Sequence, residues 1–221
     1  MKKLIVLTIG FDEKYGLKAL LRKGITIEDK VLVLVHENPG SGVKASIDEL
    51  KEVLSKALGN EVTMDVVEVP IWDFFKASMV ITEAIKERLE EGAKVRAALS
   101  SGSRALILET IFSLIMLGDA VEEMEADTED GRAVIIFPKG VLRPPQVDET
   151  DIEILSFLFE GDKDTNELQR LMSAKRPFPK STLFKRLIIL RDKGLVEIKK
   201  RGKPSIWTIT DVGRIYYRAL S

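Results

Sequence analysis

Short runs of Val, Ile and Leu alternate with stretches of helical periodicity through the first part of this chain, and this alternation limits the fold more than any other feature. The runs KLIVLTI and KVLVLVHE contain too few polar residues to have one face in water. Strands of this kind occur in parallel sheets that helices cover on both faces. We therefore predict an α/β, Rossmann-like doubly wound domain. Near its end only TEDG separates AVEEMEAD from RAVIIFP, which predicts an antiparallel strand that closes the sheet.

A pair of prolines divides the sequence. Pro144 and Pro145 lack the amide hydrogen that a helix or a central strand requires, and each restricts the residue before it to extended geometry. The 221 residues of the chain also exceed the roughly 100 to 200 residues of a typical single domain. We predict a ligand-sensing domain over residues 1–143, a linker over 144–150 and a second domain over 151–221.

The charges of the two predicted parts differ in sign. Through Arg143 the chain has 19 Lys and Arg against 24 Asp and Glu, whereas from Pro144 onward it has 15 against 11. Within the second part, the segment from Arg170 to Lys203 has 12 basic residues and only two acids. A basic cluster of this density is typical of a nucleic-acid-binding surface, although such clusters also serve simply as solvated faces.

Composition excludes several kinds of chemistry. The chain has no cysteine, and His36 is its single histidine, so neither a disulfide nor a thiolate or histidine-cluster metal site is available. No apolar run approaches the roughly 20 residues of a membrane span, and the start of the chain lacks a signal-peptide cleavage pattern. We expect a cytoplasmic protein with no metal, no resident cofactor and no membrane partner.

The ligand of a doubly wound sheet binds beyond the carboxyl ends of the strands, where the strand order reverses. In the commonest order that point lies between the first and fourth strands, so the turns at Gly10 and at SSGSR face one crevice. Glycine permits close backbone approach, hydroxyls and helix N–H groups donate to phosphate or ribose, and arginine adds a permanent cation. The candidate residues of the second turn are Ser100, Ser101, Gly102, Ser103 and Arg104. The alternative is a capped helix N-terminus, with Ser101 or Ser103 as the N-cap and no ligand.

A competing glycine pattern follows the second strand. Gly40, Gly42 and Ala45 have the G-x-G-x-x-A spacing of a dinucleotide-binding loop, and Asp65 or Glu68 follows as the ribose-binding acid. That fingerprint belongs to the first strand-helix turn, so an ordinary capped loop is the better interpretation. Asn38 and His36, at the end of the same strand, are close enough in sequence to reach the crevice.

The second part predicts a winged helix-turn-helix. Three amphipathic helical patterns, in DETDIEILSFLFEG, DTNELQRLMSA and PKSTLFKRLIILRDKG, precede two strands around the basic turn KKRGKP and a last helix. In the third helix Leu183, Leu187 and Leu190 lie on the buried face. Small, polar and basic residues on the outward face suit the major groove, and a basic wing suits the phosphate backbone. The candidate DNA-binding residues are Lys180, Ser181, Thr182, Lys185 and Arg186 in the helix, with Lys199, Lys200, Arg201 and Lys203 in the wing. Protein contact is the alternative use of such a domain.

Three stretches carry a resemblance to a known family: TIGFD, SSGSRA and the tail KSTLFKRLIILRDKGLVEIKKRGKPSIWTITDVGR. Together they resemble archaeal CRISPR-associated transcriptional regulators, which join a CARF domain (CRISPR-associated Rossmann fold) to a MarR-like winged helix. The resemblance implies a homodimer whose two crevices merge into one pocket for cyclic oligoadenylate, with cyclic tetra-adenylate as the expected ring. It also implies binding to promoter DNA near a CRISPR locus, in antiviral defence. The family's first turn corresponds to Gly10, Phe11 and Asp12, and its second to Ser100 through Arg104.

Three functions remain open from the sequence. The first is a ligand-responsive DNA-binding regulator without enzymatic activity. The second is a ring nuclease that cleaves cyclic oligoadenylate, for which His36, Asp12 and Glu109 are the candidate bases. Some CARF proteins that cleave the ring have a lysine after the second turn, where this chain has the permanently charged Arg104. The third is a redox-sensing repressor that binds a dinucleotide at Gly40 and Gly42.

Overall fold

The chain forms two compact units, Met1–Phe137 and Pro138–Ser221. The structure is a computed structural model that describes residues 2–10, 14–59, 62–137, 146–174, 177–200 and 205–220. The division falls before the linker expected at 144–150, and the first helix of the second unit begins within that range, at Glu149.

The first unit is built on one sheet with the strand order β3-β2-β1-β4-β5-β6. Strands β1 to β5 run parallel, and β6 pairs antiparallel with β5. This confirms the predicted Rossmann-like parallel sheet and its antiparallel closing strand. The bounds are β1 (Lys3–Thr8), β2 (Lys30–His36), β3 (Thr63–Val69), β4 (Lys94–Ala98), β5 (Val121–Asp127) and β6 (Val134–Ile136).

Helices cover both faces of this sheet. Ile5 and Leu7 of β1, and Ile9 directly after it, are fully buried in a cluster with residues of β2 and of the first two helices. Helices α3 and α4 pack against each other and against strands. The alternate residues Leu4 and Val6 are also fully buried, as a central parallel strand requires. The helices are α1 (Lys14–Arg22), α2 (Ser41–Leu58), α3 (Phe74–Arg88) and α4 (Arg104–Leu117), and a 3₁₀ turn follows at Gly118–Ala120.

The second unit combines helices with a small antiparallel sheet of order β7-β9-β8. Its core contains Leu183, Leu187 and Leu190, as the sequence pattern predicts, and Trp207, which donates from Nε1 to Thr165 Oγ1 at 3.1 Å. The elements are α5 (Glu149–Phe159), β7 (Lys163–Asp164), α6 (Thr165–Ser173), α7 (Lys180–Asp192), β8 (Val196–Lys200), β9 (Ile206–Ile209) and α8 (Asp211–Leu220).

A reciprocal cap explains why α5 starts at Glu149, inside the range predicted as linker. The Asp148 carboxylate accepts from the Asp151 amide at 2.9 Å, and the Asp151 carboxylate accepts from the Asp148 amide at 3.4 Å. These two bonds satisfy backbone donors that the first turn of a helix leaves without intrahelical partners. The predicted linker therefore includes the beginning of a folded domain.

A close backbone approach at Gly213 yields the first prediction. A Cβ added there would lie 2.1 Å from the Leu195 carbonyl oxygen, so Gly213→Ala must displace α8 from the turn between α7 and β8. We expect the variant to lose about 1 to 3 kcal/mol of unfolding free energy, the usual cost of overpacking. Urea denaturation followed by circular dichroism measures this loss. Gly40→Ala is the control because a Cβ at Gly40 meets nothing within 4 Å; equal losses in the two variants would contradict the prediction.

Candidate functional site

The turns after β1 and β4 contact each other, as expected for the point where the strand order reverses. The Gly10 amide donates to Ser101 Oγ at 2.9 Å. A Cβ at Gly10 would lie 2.8 Å from the Gly102 amide nitrogen, which is closer than real Cβ contacts come. Glycine is therefore required at position 10 for the two turns to meet, and together they form the floor of the candidate crevice.

Ser100 anchors the second turn to the neighbouring strand β5. Its hydroxyl donates to Asp127 Oδ2 at 2.7 Å and accepts from the Asp127 amide at 2.8 Å. Arg22, at the end of α1, holds the same carboxylate at 2.8 Å and also pairs with the buried Glu125. Burial alone would raise the pKa of Asp127, but the hydrogen bonds from Arg22 and Ser100 outweigh it and lower the pKa below its ordinary value. Ser100 therefore fixes the position of the turn.

Ser103 is the N-cap of α4. Its side chain accepts from the Leu106 amide at 3.2 Å, while its carbonyl accepts from Ile107. The capped-helix interpretation thus holds for Ser103, and Ser101 is bonded to Gly10 instead. Because both hydroxyls accept in these bonds, each keeps its own hydrogen for a donor role.

The remaining residues of the turn suit an anion. Gly102 has φ +107°, a conformation that disfavours any side chain, and Arg104 is exposed at the first position of α4. The helix N-terminus carries partial positive charge and the guanidinium adds a full one. The turn therefore offers hydroxyls, a close backbone and positive charge at one place, which is the chemistry that binds phosphate and ribose.

Other predicted residues of this site lie apart or outside the described residues. Asn38 follows β2 and has φ +53°. Its backbone amide donates to Glu68 Oε2 at 3.0 Å and therefore does not bond to either turn of the crevice. Phe11 and Asp12 lie outside the described residues. In the part of the chain that the structure describes, no three His, Asp or Glu side chains converge on a metal-sized site. Every described helix is also too short or too polar to cross a bilayer.

Sequence reasoning missed an apolar face on α3 and α4, next to the crevice. The rings of Phe74 and Phe112 lie 5.0 Å apart, and a groove of about 430 Å³ runs beside Phe75, Met79 and Met116. The exposed apolar residues of this face are Phe74, Phe75, Met79, Leu108, Phe112 and Met116, and Trp72 is exposed in the turn before α3. The signal was present in the sequence, because ALILETIFSLIML is apolar nearly all round and a helix of that kind is normally covered on every side.

A buried carboxyl lies beneath this face. Glu109 of α4 is 3% exposed, and among the described residues its Oε2 has no hydrogen-bond partner. Ser113, one turn later, shares its one hydroxyl hydrogen between the Glu109 carbonyl at 2.8 Å and the Ser78 carbonyl of α3 at 3.2 Å. Burial, with a smaller effect from the charge of Asp73, raises the pKa of Glu109 to about 7.

The second unit presents basic side chains on α7. Ser181 and Lys185 are exposed, Thr182 is half-buried, and Lys180 Nζ donates to Asn166 Oδ1 at 2.5 Å. Lys199 of β8 pairs with Asp162 at 2.5 Å. The side chain of Lys200, and all of Arg201 and Lys203, lie outside the described residues.

Arg186 differs from the sequence interpretation. Its guanidinium is 28% exposed and pairs with Asp148 at 2.8 Å and with Asp151 at 2.7 Å. The Asp151 carboxylate is buried, so the pair ties α7 to the cap of α5. The cap of α5 thus supplies Arg186 with counter-ions that the sequence separation conceals, and a DNA contact by Arg186 stays a prediction.

Comparison with known proteins identifies the first unit. Residues 3–138 match the Csa3 CRISPR-associated Rossmann-like domain. The chain belongs to this family. Its Csa3 (CARF) domain contains both turns of the crevice, the apolar face and Glu109, and it ends where the second unit begins.

Two solved structures are similar to this chain, but neither supports a conclusion about its fold or function. One is the crystal structure of Rv0081 from M. tuberculosis, whose sequence is 28% identical to this chain. Its TM-score is 0.29, and the match covers 34% of this chain and 73% of Rv0081. VC1899 from Vibrio cholerae is 13% identical with a TM-score of 0.46, and the match covers 97% of this chain and 64% of that one. Both TM-scores are too low to support a shared fold. No curated protein matches the chain.

The buried carboxyl predicts a pH dependence for the CARF domain. With a native pKa of about 7 against an ordinary 4.5, the folded protein keeps a proton that the unfolded chain releases between these values. Unfolding free energy therefore falls as the pH rises from about 4.5 to 7, by roughly 3 kcal/mol if the full shift is realised. Denaturant titrations across this range measure the slope, and Glu109→Gln should flatten it.

Glu87→Gln is the matched control for this test. Glu87 lies on α3 with an exposed side chain, so its replacement should leave the slope as in the parent. A parent slope that survives Glu109→Gln would assign the pH dependence to other groups.

Proposed function

We propose that this protein is a ligand-responsive transcriptional regulator of a CRISPR-Cas locus that senses cyclic oligoadenylate, with cyclic tetra-adenylate as the expected ring. The observation that carries the proposal is the contact between the Gly10 and Ser101 turns inside a Csa3 CARF domain. It makes one crevice from the two turns to which the family resemblance assigns ligand binding. The regulator acts by binding and not by catalysis.

The chemistry of the crevice fits a cyclic oligoadenylate. Such a ring repeats phosphates and riboses around its circumference, and both groups seek hydrogen-bond donors. Ser101, Ser103 and the first amide groups of α4 supply donors, and Arg104 supplies the charge that offsets a phosphate. Gly10 and Gly102 keep side chains away from the floor, so the ring backbone can approach closely.

A homodimer would complete the site. The exposed aromatic and Met side chains of α3 and α4 form an apolar face larger than isolated surface residues would, and such faces mark protein contacts. The first residue of α4 is Arg104, so this face adjoins the crevice. If a second copy of the chain covers the face about a twofold axis, both copies of the Ser100–Arg104 turn approach the axis, and a symmetric ring can bind both.

The second unit supports double-stranded promoter DNA as the partner. Helices α5, α6 and α7, followed by the β8–β9 hairpin, have the order of a winged helix-turn-helix, with α7 as the recognition helix. Lys180, Ser181 and Lys185 occupy its beginning, and Lys199 begins the basic turn of the wing. Thr182 lies at their edge. Lys200, Arg201 and Lys203 extend the basic turn by sequence.

Arg104→Ala tests the ligand site. Loss of a charge-assisted contact should weaken calorimetric binding of cyclic tetra-adenylate by about 1.5 to 3 kcal/mol, roughly ten- to a hundredfold in Kd, and leave promoter affinity without ligand unchanged. Lys56→Ala is the control, because Lys56 is an exposed cation near the end of α2, away from the carboxyl edge of the sheet.

Three results would overturn this assignment. Equal ligand affinity in Arg104→Ala and the parent would remove the turn from the site. Release of linear oligoadenylate on prolonged incubation, followed by mass spectrometry, would make the protein a ring nuclease. Binding of a nicotinamide dinucleotide in place of the ring would favour the loop at Gly40 and Gly42.

Alanine variants of two neighbouring residues of α7 test the DNA-binding surface, because one should lose DNA affinity and the other should lose stability. Lys185→Ala should weaken binding to a promoter fragment and to scrambled DNA, and should reduce the slope of log affinity against log salt by about one unit if Lys185 contacts a phosphate. Arg186→Ala should instead destabilise the second unit by about 2 to 4 kcal/mol, because Asp151 is left buried without its counter-ion. Salt titrations by anisotropy and urea denaturation measure the two effects. Parent-like affinity and slope in Lys185→Ala would exclude this face.

A further inference from the structure

Phe184 is an aromatic residue on the outward side of α7 that the core does not use. Its side chain is 49% exposed, whereas Leu183, Leu187 and Leu190 of the same helix are fully buried. Each residue of a helix turns about 100° from the one before, so Phe184 lies well around from the core stripe. The unused surface of the ring faces solvent.

The ring is nevertheless held in place. Phe184 meets Trp207 of β9 edge to face, with ring centroids 6.4 Å apart and an interplanar angle of 79°. Trp207 is itself fully buried and anchored by its hydrogen bond to Thr165. An aromatic ring fixed on one side and open on the other is a prepared contact surface, since little side-chain entropy remains to be lost when it binds.

The surroundings of the ring indicate what covers it. Exposed Lys185 follows it directly, and Ser181 lies one turn earlier on the same side of the helix. Lys180 is one turn before the ring as well. An apolar protein partner would have to bury these cations, whereas DNA pairs them with phosphates, so the charge pattern favours the duplex.

We propose that Phe184 determines part of the DNA sequence preference by contacting the C5-methyl group of a thymine in the major groove. The inference rests on the proposed DNA binding and adds a base-reading residue to it. The thymine methyl is the apolar group that base edges present in that groove, and aromatic side chains contact it. Lysine contacts to phosphates set the register, and Phe184 then reads one base edge.

Uracil lacks only this methyl group, so a uracil scan isolates the contact. The duplex is selected from a random library by the full-length protein, and each thymine is then replaced singly by uracil. Anisotropy at fixed salt should show about a fourfold loss at one position in each half-site, the value of burying one methyl group. Insensitivity at every thymine would overturn the inference even though the protein binds DNA.

A double-mutant cycle assigns the effect to the ring. In Phe184→Ala the thymine duplex should bind no better than the uracil duplex, and in Phe184→Leu part of the difference should remain. Ile189→Ala is the control, because Ile189 is equally exposed on the same helix but lies in its later turns. A fourfold thymine preference that persists in folded Phe184→Ala would assign it to another residue. Failure to select any duplex would instead refute the DNA binding of the proposed function.

Discussion

The hydrogen bond from the Gly10 amide to Ser101 Oγ is the contact on which the candidate site depends. It joins the ends of β1 and β4, the two parallel neighbours between which the strand order reverses, so the crevice exists only because these turns touch. The absence of a Cβ at position 10 permits the contact, and the N-cap at Ser103 then directs α4 away from it. These three features together place the N-terminus of α4 and Arg104, which carry the positive charge, at the crevice.

Ion pairs hold strand β5 against the end of α1. Arg22 bridges Glu125 and Asp127, and Lys23, with its side chain almost completely buried, pairs with Glu123 and Glu125. Charges in such positions are tolerated only when each is paired and hydrogen-bonded. Ser100 belongs to this network through Asp127, so the turn after β4 is attached to a rigid and strongly coupled part of the domain.

Much of the fold follows from the sequence, for identifiable reasons. The Val-rich runs predict the parallel sheet because strands buried on both faces cannot be polar, and the position of Gly10 opposite SSGSR follows from the usual strand order.

The hydrogen-bond partners of individual polar residues do not follow from the sequence. Ser100, Ser101 and Ser103 look alike in sequence, yet one binds Asp127, one Gly10 and one the helix amides. These partners lie up to 91 positions apart, and sequence spacing carries no record of them. Gly213 likewise gives no signal, because nothing local to α8 reveals the carbonyl of Leu195 above it.

The ion pairs of Arg186 with Asp148 and Asp151 have a consequence for how this protein can change over evolutionary time. Leucines and this one guanidinium hold α7 in place, so its orientation owes little to the side chains at its outward positions. Substitutions at Ser181 or Lys185 therefore carry a small folding penalty. In the proposed regulator, operator preference could therefore diverge rapidly between descendants while the scaffold that presents α7 stays the same.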